Sequence, residues 1–61
     1  MAAWYGCAAR QRAFKVKRRH GKNLVLSDQY GATHLMSPDK LEANGYRLLA
    51  TKPRYAGKGK Y

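Results

Sequence analysis

The sequence predicts a mainly β protein: a small antiparallel domain of four or five short strands with one two-turn helix before the last strand. Three observations predict it. Residues 13–19 alternate apolar and cationic side chains with a period of two, the repeat of a half-buried strand. Turn residues punctuate the chain at His20-Gly21-Lys22-Asn23 and at Ser27-Asp28-Gln29-Tyr30-Gly31. One helix signature stands alone, with Ser37 and Pro38 at its start and Gly45 after its end.

In the first segment Phe14 and Val16 share one parity while Lys15, Lys17 and Arg19 share the other. A helix would put Phe14 and Val16 on different sides of a surface nearly covered in charge, leaving no stripe to bury, so the strand is favoured. Three cations then stand in a row on one solvent face, roughly 6.6 Å apart at the strand rise. Leu24-Val25-Leu26 forms the next strand. Placing Phe14 and Val16 on the same face as Leu24 and Leu26 requires opposed positions to sum to an even number. A three-residue loop, Gly21-Lys22-Asn23, meets that requirement with Asn23 in the left-handed conformation.

Asp28 suits the first position of the second turn and Gly31 its end. Thr33-His34-Leu35-Met36 reads as a third strand whose facing the pattern leaves open. For residues 38–44, Ser37 is the N-cap, Pro38 the first helical residue, Asp39 the acid at the positive end of the dipole, and Gly45 the left-handed residue past the C-terminus. Met36 and Leu41 occupy the two positions of a hydrophobic staple. Tyr46-Arg47-Leu48-Leu49-Ala50 is the last strand, and residues 4–8 supply a possible first one.

This element order over residues 4–50 resembles that of small SH3-like barrels, in which a short helix precedes the final strand. The resemblance carries no family motif and implies a fold only. The alternative architecture is an open antiparallel sheet with the helix on one face. One domain over residues 1–51 is expected, with a core drawn from Phe14, Val16, Leu24, Val25, Leu26, Leu35, Met36, Leu41, Leu48 and Leu49, roofed by Trp4 and Tyr46. Residues 52–61 contain two glycines and no aliphatic residue larger than Ala, and read as a flexible basic tail with Pro53 where order ends.

Charge is the strongest functional statement in the chain. Seven of the thirteen residues 10–22 are cations (Arg10, Arg12, Lys15, Lys17, Arg18, Arg19 and Lys22) and none is acidic. The middle is close to neutral, since Asp28, Asp39 and Glu42 face only Lys40 and Arg47 between residues 23 and 51. Lys52, Arg54, Lys58 and Lys60 follow with no acid. The net charge of +10 therefore sits on two flanks. Charge that served solubility alone would intersperse the signs. Segregated cations point to a polyanion.

Other chemistry finds little support. Sixty-one residues leave no room for the roughly 300 Å³ or more of a small-molecule site, so no enzyme, cofactor or small-molecule substrate is expected. Cys7, His20, His34 and three carboxylates have no paired ligand spacing, and no metal is expected. Gly57-Lys58-Gly59-Lys60 lacks the strand and helix of a phosphate loop. A single cysteine excludes an intrachain disulfide and points to a reducing, cytoplasmic location. The apolar start has no basic lead and is interrupted by Arg10 and Arg12, unlike a signal peptide, and no stretch reaches the roughly 20 apolar residues of a membrane span.

Two functional readings follow. In the first, the chain is a small nucleic-acid-binding protein, for DNA or RNA, that contacts phosphates through the basic hairpin and tail. Trp4 and Tyr46 suit the core better than base stacking, whereas Tyr30, Tyr55 and Tyr61 are the better stacking candidates. In the second, the basic face docks an acidic protein surface, making the chain a regulator or inhibitor of a nucleic-acid-handling enzyme or assembly. Arg and Tyr are also what protein interfaces favour, so composition fits both.

Overall fold

The computed structural model describes residues 3–61; Met1 and Ala2, the start of the apolar stretch read above, lie outside the described residues. Five strands form one antiparallel sheet: β1 (Ala3–Cys7), β2 (Arg12–His20), β3 (Asn23–Ser27), β4 (Thr33–Met36) and β5 (Arg47–Leu49). Helix α1 (Pro38–Ala43) links β4 to β5, and a 3-10 turn (Arg54–Ala56) follows β5. The spatial order is β4-β3-β2-β1-β5, an open sheet. The open alternative therefore holds and the barrel closure does not. β4 and β5 are short edges at opposite sides of the sheet, and the connection between them carries Leu41 and Tyr46 into the core.

The inner face is the main core. Tyr5 and Cys7 of β1 and Leu24 and Leu26 of β3 bury against Leu41 and Tyr46, with Phe14, Val16 and Met36 packed around them. Leu26 and Leu41 are fully buried. The helix forms as its local signals demand. Ser37 Oγ accepts a hydrogen bond from the Lys40 amide at 3.2 Å. At the other end Tyr46 N donates to Leu41 O (2.9 Å) and Gly45 N to Glu42 O (3.0 Å), the pair of bonds of a Schellman motif. Gly45 takes the positive φ, +87°, that this motif requires.

The β2–β3 hairpin keeps the predicted facing but reaches it differently. Val16 opposes Leu26, which sums to an even number, whereas Arg18 opposes Val25, Arg19 opposes Leu24 and His20 opposes Asn23, which sum to an odd one. The register slips between Val16 and Arg18, where Lys17 is the extra residue of a bulge. The loop is thus the two residues Gly21-Lys22, with Gly21 at φ +64°, the positive first position of a II′ turn. Asn23 is not left-handed; it is the first residue of β3. The bulge resolves the parity conflict that a three-residue loop was expected to resolve.

The outer face carries a second, smaller core, and here the composition-based expectation fails. Trp4, Ala13 and Ala56 are buried together with Leu49 and Tyr61 packed against them. Residues 53–61 are laid over β1 and β2 rather than free of the domain. The Tyr61 ring meets Trp4 edge-on at 5.0 Å, its hydroxyl donates to Ala56 O at 2.9 Å, and Lys60 N donates to Gln29 O at 2.8 Å. Tyr55 lies over Gly6. Both tyrosines assigned to a tail are therefore part of the cover. Two expected core residues go the other way: Leu35 and Leu48, on the two edge strands, are 55% and 64% exposed.

Candidate nucleic-acid interface

The bulge redistributes the cations of β2. Residues that oppose one another across strands share a face. Lys15 opposes Trp4 on β1 and Ser27 on β3, and Arg18 opposes Val25, so both belong to the outer face. Lys17 reaches the same face, where its Nζ donates to the Tyr61 carbonyl oxygen at 3.1 Å. Arg19 opposes the buried Leu24 and so belongs to the inner side at the strand end, where it shares a shallow depression with Lys22, Ser37 and Asp39. The expected row of Lys15, Lys17 and Arg19 is thus a cluster of Lys15, Lys17 and Arg18.

The other sequence-predicted residues fall into four groups. Arg10, in the β1–β2 turn, and Arg12, at the start of β2, stand at the far end of the sheet, with Arg12 roughly 20 Å along the strand from Arg18 at the rise of an extended residue. Lys52 belongs to the outer cluster, its Nζ 5.2 Å from the centre of the Tyr61 ring. Arg54, Lys58 and Lys60 are exposed on the covering segment. Tyr30 is 77% exposed at the β3–β4 turn. The structure therefore brings Lys15, Lys17, Arg18 and Lys52 onto one face and leaves Arg10 and Lys22 in the turns at its margins, whereas Arg12, opposite Cys7, and Arg19, opposite Leu24, belong to the inner side.

Beside the cluster the outer face of β3 and β4 presents the half-buried Val25 and the exposed Leu35. Arg18, Val25 and Leu35 form one row across three strands. His20 and Thr33 border the same shallow hollow. Sequence reading missed this apolar row because Val25 and Leu35 look like core residues. The parity of Val25, opposite to that of Leu24 and Leu26 on the same strand, was the available signal; Leu35 joins it only through the β3–β4 register.

The β3–β4 turn is held by Asp28. Its Oδ1 accepts from the amides of Tyr30 (2.8 Å) and Ala32 (2.9 Å), and Oδ2 lies 2.7 Å from His34 Nε2. His34 belongs to the inner side, edge-on to Phe14 at 5.3 Å, which settles the facing of β4. The bond from His34 holds the Asp28 carboxyl below its ordinary value of 3.8, with the two amides acting in the same sense against partial burial. Burial, with the nearby Asp28 charge adding to it, pushes the Tyr61 phenol above its ordinary value.

Cys7 is buried in the inner core, and among the described residues no three His, Cys, Asp or Glu side chains gather as a metal site would need. No helix among the described residues is long and apolar enough to cross a membrane. No family model matches the sequence, and neither the curated proteins nor the solved structures yield a significant match, so the functional reading stands on the residues and their geometry.

Proposed function

We propose that the chain is a small nucleic-acid-binding protein of weak sequence selectivity. Its outer sheet face tracks phosphates through Lys15, Lys17, Arg18 and Lys52, with Lys58 and Lys60 adding contacts from the covering segment. One observation carries this reading. Among the described residues none of the thirteen Lys and Arg side chains lies within salt-bridge distance of a side-chain carboxylate; the one pair formed is His34 with Asp28. The other two acids, Asp39 and Glu42, stand on α1, which packs on the inner face. Cations on the outer face thus have no carboxylate side chain to neutralise them, although Lys17 donates to the Tyr61 oxygen and Lys52 lies over the Tyr61 ring. They release counterions when phosphates replace the solvent atmosphere, and such contacts position a strand without reading its sequence.

The test is the salt dependence of affinity. Four phosphates neutralised give a slope of log K against log salt of about −2.8 on single strands and about −3.6 on duplex. Replacing Lys15 and Lys17 with Glu flattens the slope and weakens binding. A slope near zero in the parent chain, or unchanged affinity in the double variant, refutes the reading. The exposed Leu48 beside Arg47 on edge β5 favours the second reading, docking of an acidic protein surface. A pull-down that survives nuclease treatment would select it.

A further inference from the structure

At the end of the sheet remote from Gly21, a hollow of about 90 Å³ opens between the start of β2 and the β3–β4 turn, lined by Arg12, Ala13, Phe14, Gln29, Tyr30 and His34 and by Asp28, whose carboxylate is engaged by His34 and the turn amides. Three of these seven, Phe14, Tyr30 and His34, carry aromatic or heteroaromatic rings. Phe14 and His34 are half-buried and already edge-on to one another, so they form a fixed floor. Tyr30 differs: it is 77% exposed at the rim, and none of the aromatic contacts among the described residues involves it. The backbone presenting it is nonetheless braced, because Asp28 bonds the amides of Tyr30 and Ala32 and the Gly31 amide donates to Asp28 O at 3.0 Å. An aromatic face held out by an ordered turn binds a planar partner at less ordering cost than one on a loose loop.

The surroundings narrow the class of partner. Arg12 supplies one cation, and Lys60 is pinned beside the turn by its amide bond to Gln29 O at 2.8 Å. The volume is well below the roughly 300 Å³ of sites that enclose a whole small molecule, so a single ring can enter while the rest of the ligand stays outside. Gln29 offers both donor and acceptor groups, which suits any base edge. We propose that this hollow takes one unpaired base of a single-stranded nucleic acid, stacked on Tyr30 above Phe14 and His34, with the flanking phosphates on Arg12 and Lys60. The inference rests on the phosphate-binding reading above and adds strand preference to it: bases within a duplex are already stacked and cannot reach the hollow.

Fluorescence anisotropy with four labelled probes tests it: an octathymidylate, an octauridylate, a fully abasic octamer and a twelve-base-pair duplex. Tyr30→Ala weakens binding of both base-bearing octamers about 5- to 20-fold, the lower part of the range for stacking on one aromatic face. Binding of the abasic strand and the duplex changes by less than about twofold, and Tyr30→Phe restores the octamers. A loss confined to the octauridylate assigns the hollow to RNA, and one confined to the octathymidylate assigns it to DNA. If Tyr30→Ala leaves all four probes unchanged, or weakens all four alike, the base subsite is wrong while the phosphate reading stands. If the parent chain binds none of them, the phosphate reading fails and the subsite with it.

Discussion

Replacing Tyr61 with Ala tests whether residues 53–61 belong to the fold. In the structure the Tyr61 ring meets Trp4 edge-on at 5.0 Å and its hydroxyl donates to Ala56 O at 2.9 Å. An edge-to-face aromatic pair contributes about 0.5–1.5 kcal/mol beyond area burial. A net hydrogen bond contributes about 1 kcal/mol. The substitution should therefore cost about 2 kcal/mol, a large share of the roughly 3–9 kcal/mol expected for a domain of this size. For so short a chain that corresponds to a fall in Tm of about 8–16 °C. The assay is built in: Trp4 is the only tryptophan, so its emission reports the outer core directly. Thermal unfolding followed by that emission should show both the lower Tm and a red-shifted native baseline as water reaches the indole. An unchanged baseline with a Tm within about 2 °C of the parent would refute the reasoning. The segment would then behave as the tail its composition suggests.

Two further predictions concern local devices. Ser37→Ala removes the cap on the Lys40 amide and should cost about 1 kcal/mol, and Gly45→Val, which forces a β-branched residue to the +87° φ of the Schellman turn, should cost more; urea midpoints measure both. The Asp28 carboxyl lies below its ordinary value when folded, so its contribution is present above pH 3.8 and is lost as the pH falls through the folded value. The Tm of the parent should therefore drop on acidification below pH 3.8, and Asp28→Asn should lessen that drop in a pH series followed by circular dichroism.

Elements whose cause is local were legible. Helix α1 is specified within nine residues, by Ser37, Pro38, Leu41 and Gly45, and it stands within one residue of its expected end. β2 was legible because Phe14 and Val16 alone set its period, and β4 because turn residues bound it on one side and the N-cap on the other. Where two local preferences collide, the sequence leaves the resolution open. A Gly21-led two-residue turn and a common apolar face for Val16 and Leu26 are incompatible in a regular ladder. Either a longer loop or a bulge reconciles them. The bulge at Lys17 keeps the turn that Gly21 favours and places the irregularity in mid-strand, beyond the reach of a turn argument.

That single slip decides which cations form the candidate site. It carries Arg18 to the outer face beside Lys15 and turns Arg19 toward the helix, so the surface is denser and shorter than an alternating row. The covering segment follows a different logic. Its composition could not build a core of its own, but it does not have to, because β1 has apolar residues on both parities: Tyr5 and Cys7 inward, Trp4 outward. A strand apolar on both sides implies two covered faces, and that was the signal for a second layer. The cover comes from residues 53–61, a basic stretch outside the elements of the inner core. Tyr61 then lies between Lys17 and Lys52, its carbonyl on one and its ring near the other. The segment that shields Trp4 from water is thus the same one that adds positive charge over the sheet, so that in the proposed function folding and polyanion binding draw on a shared set of side chains.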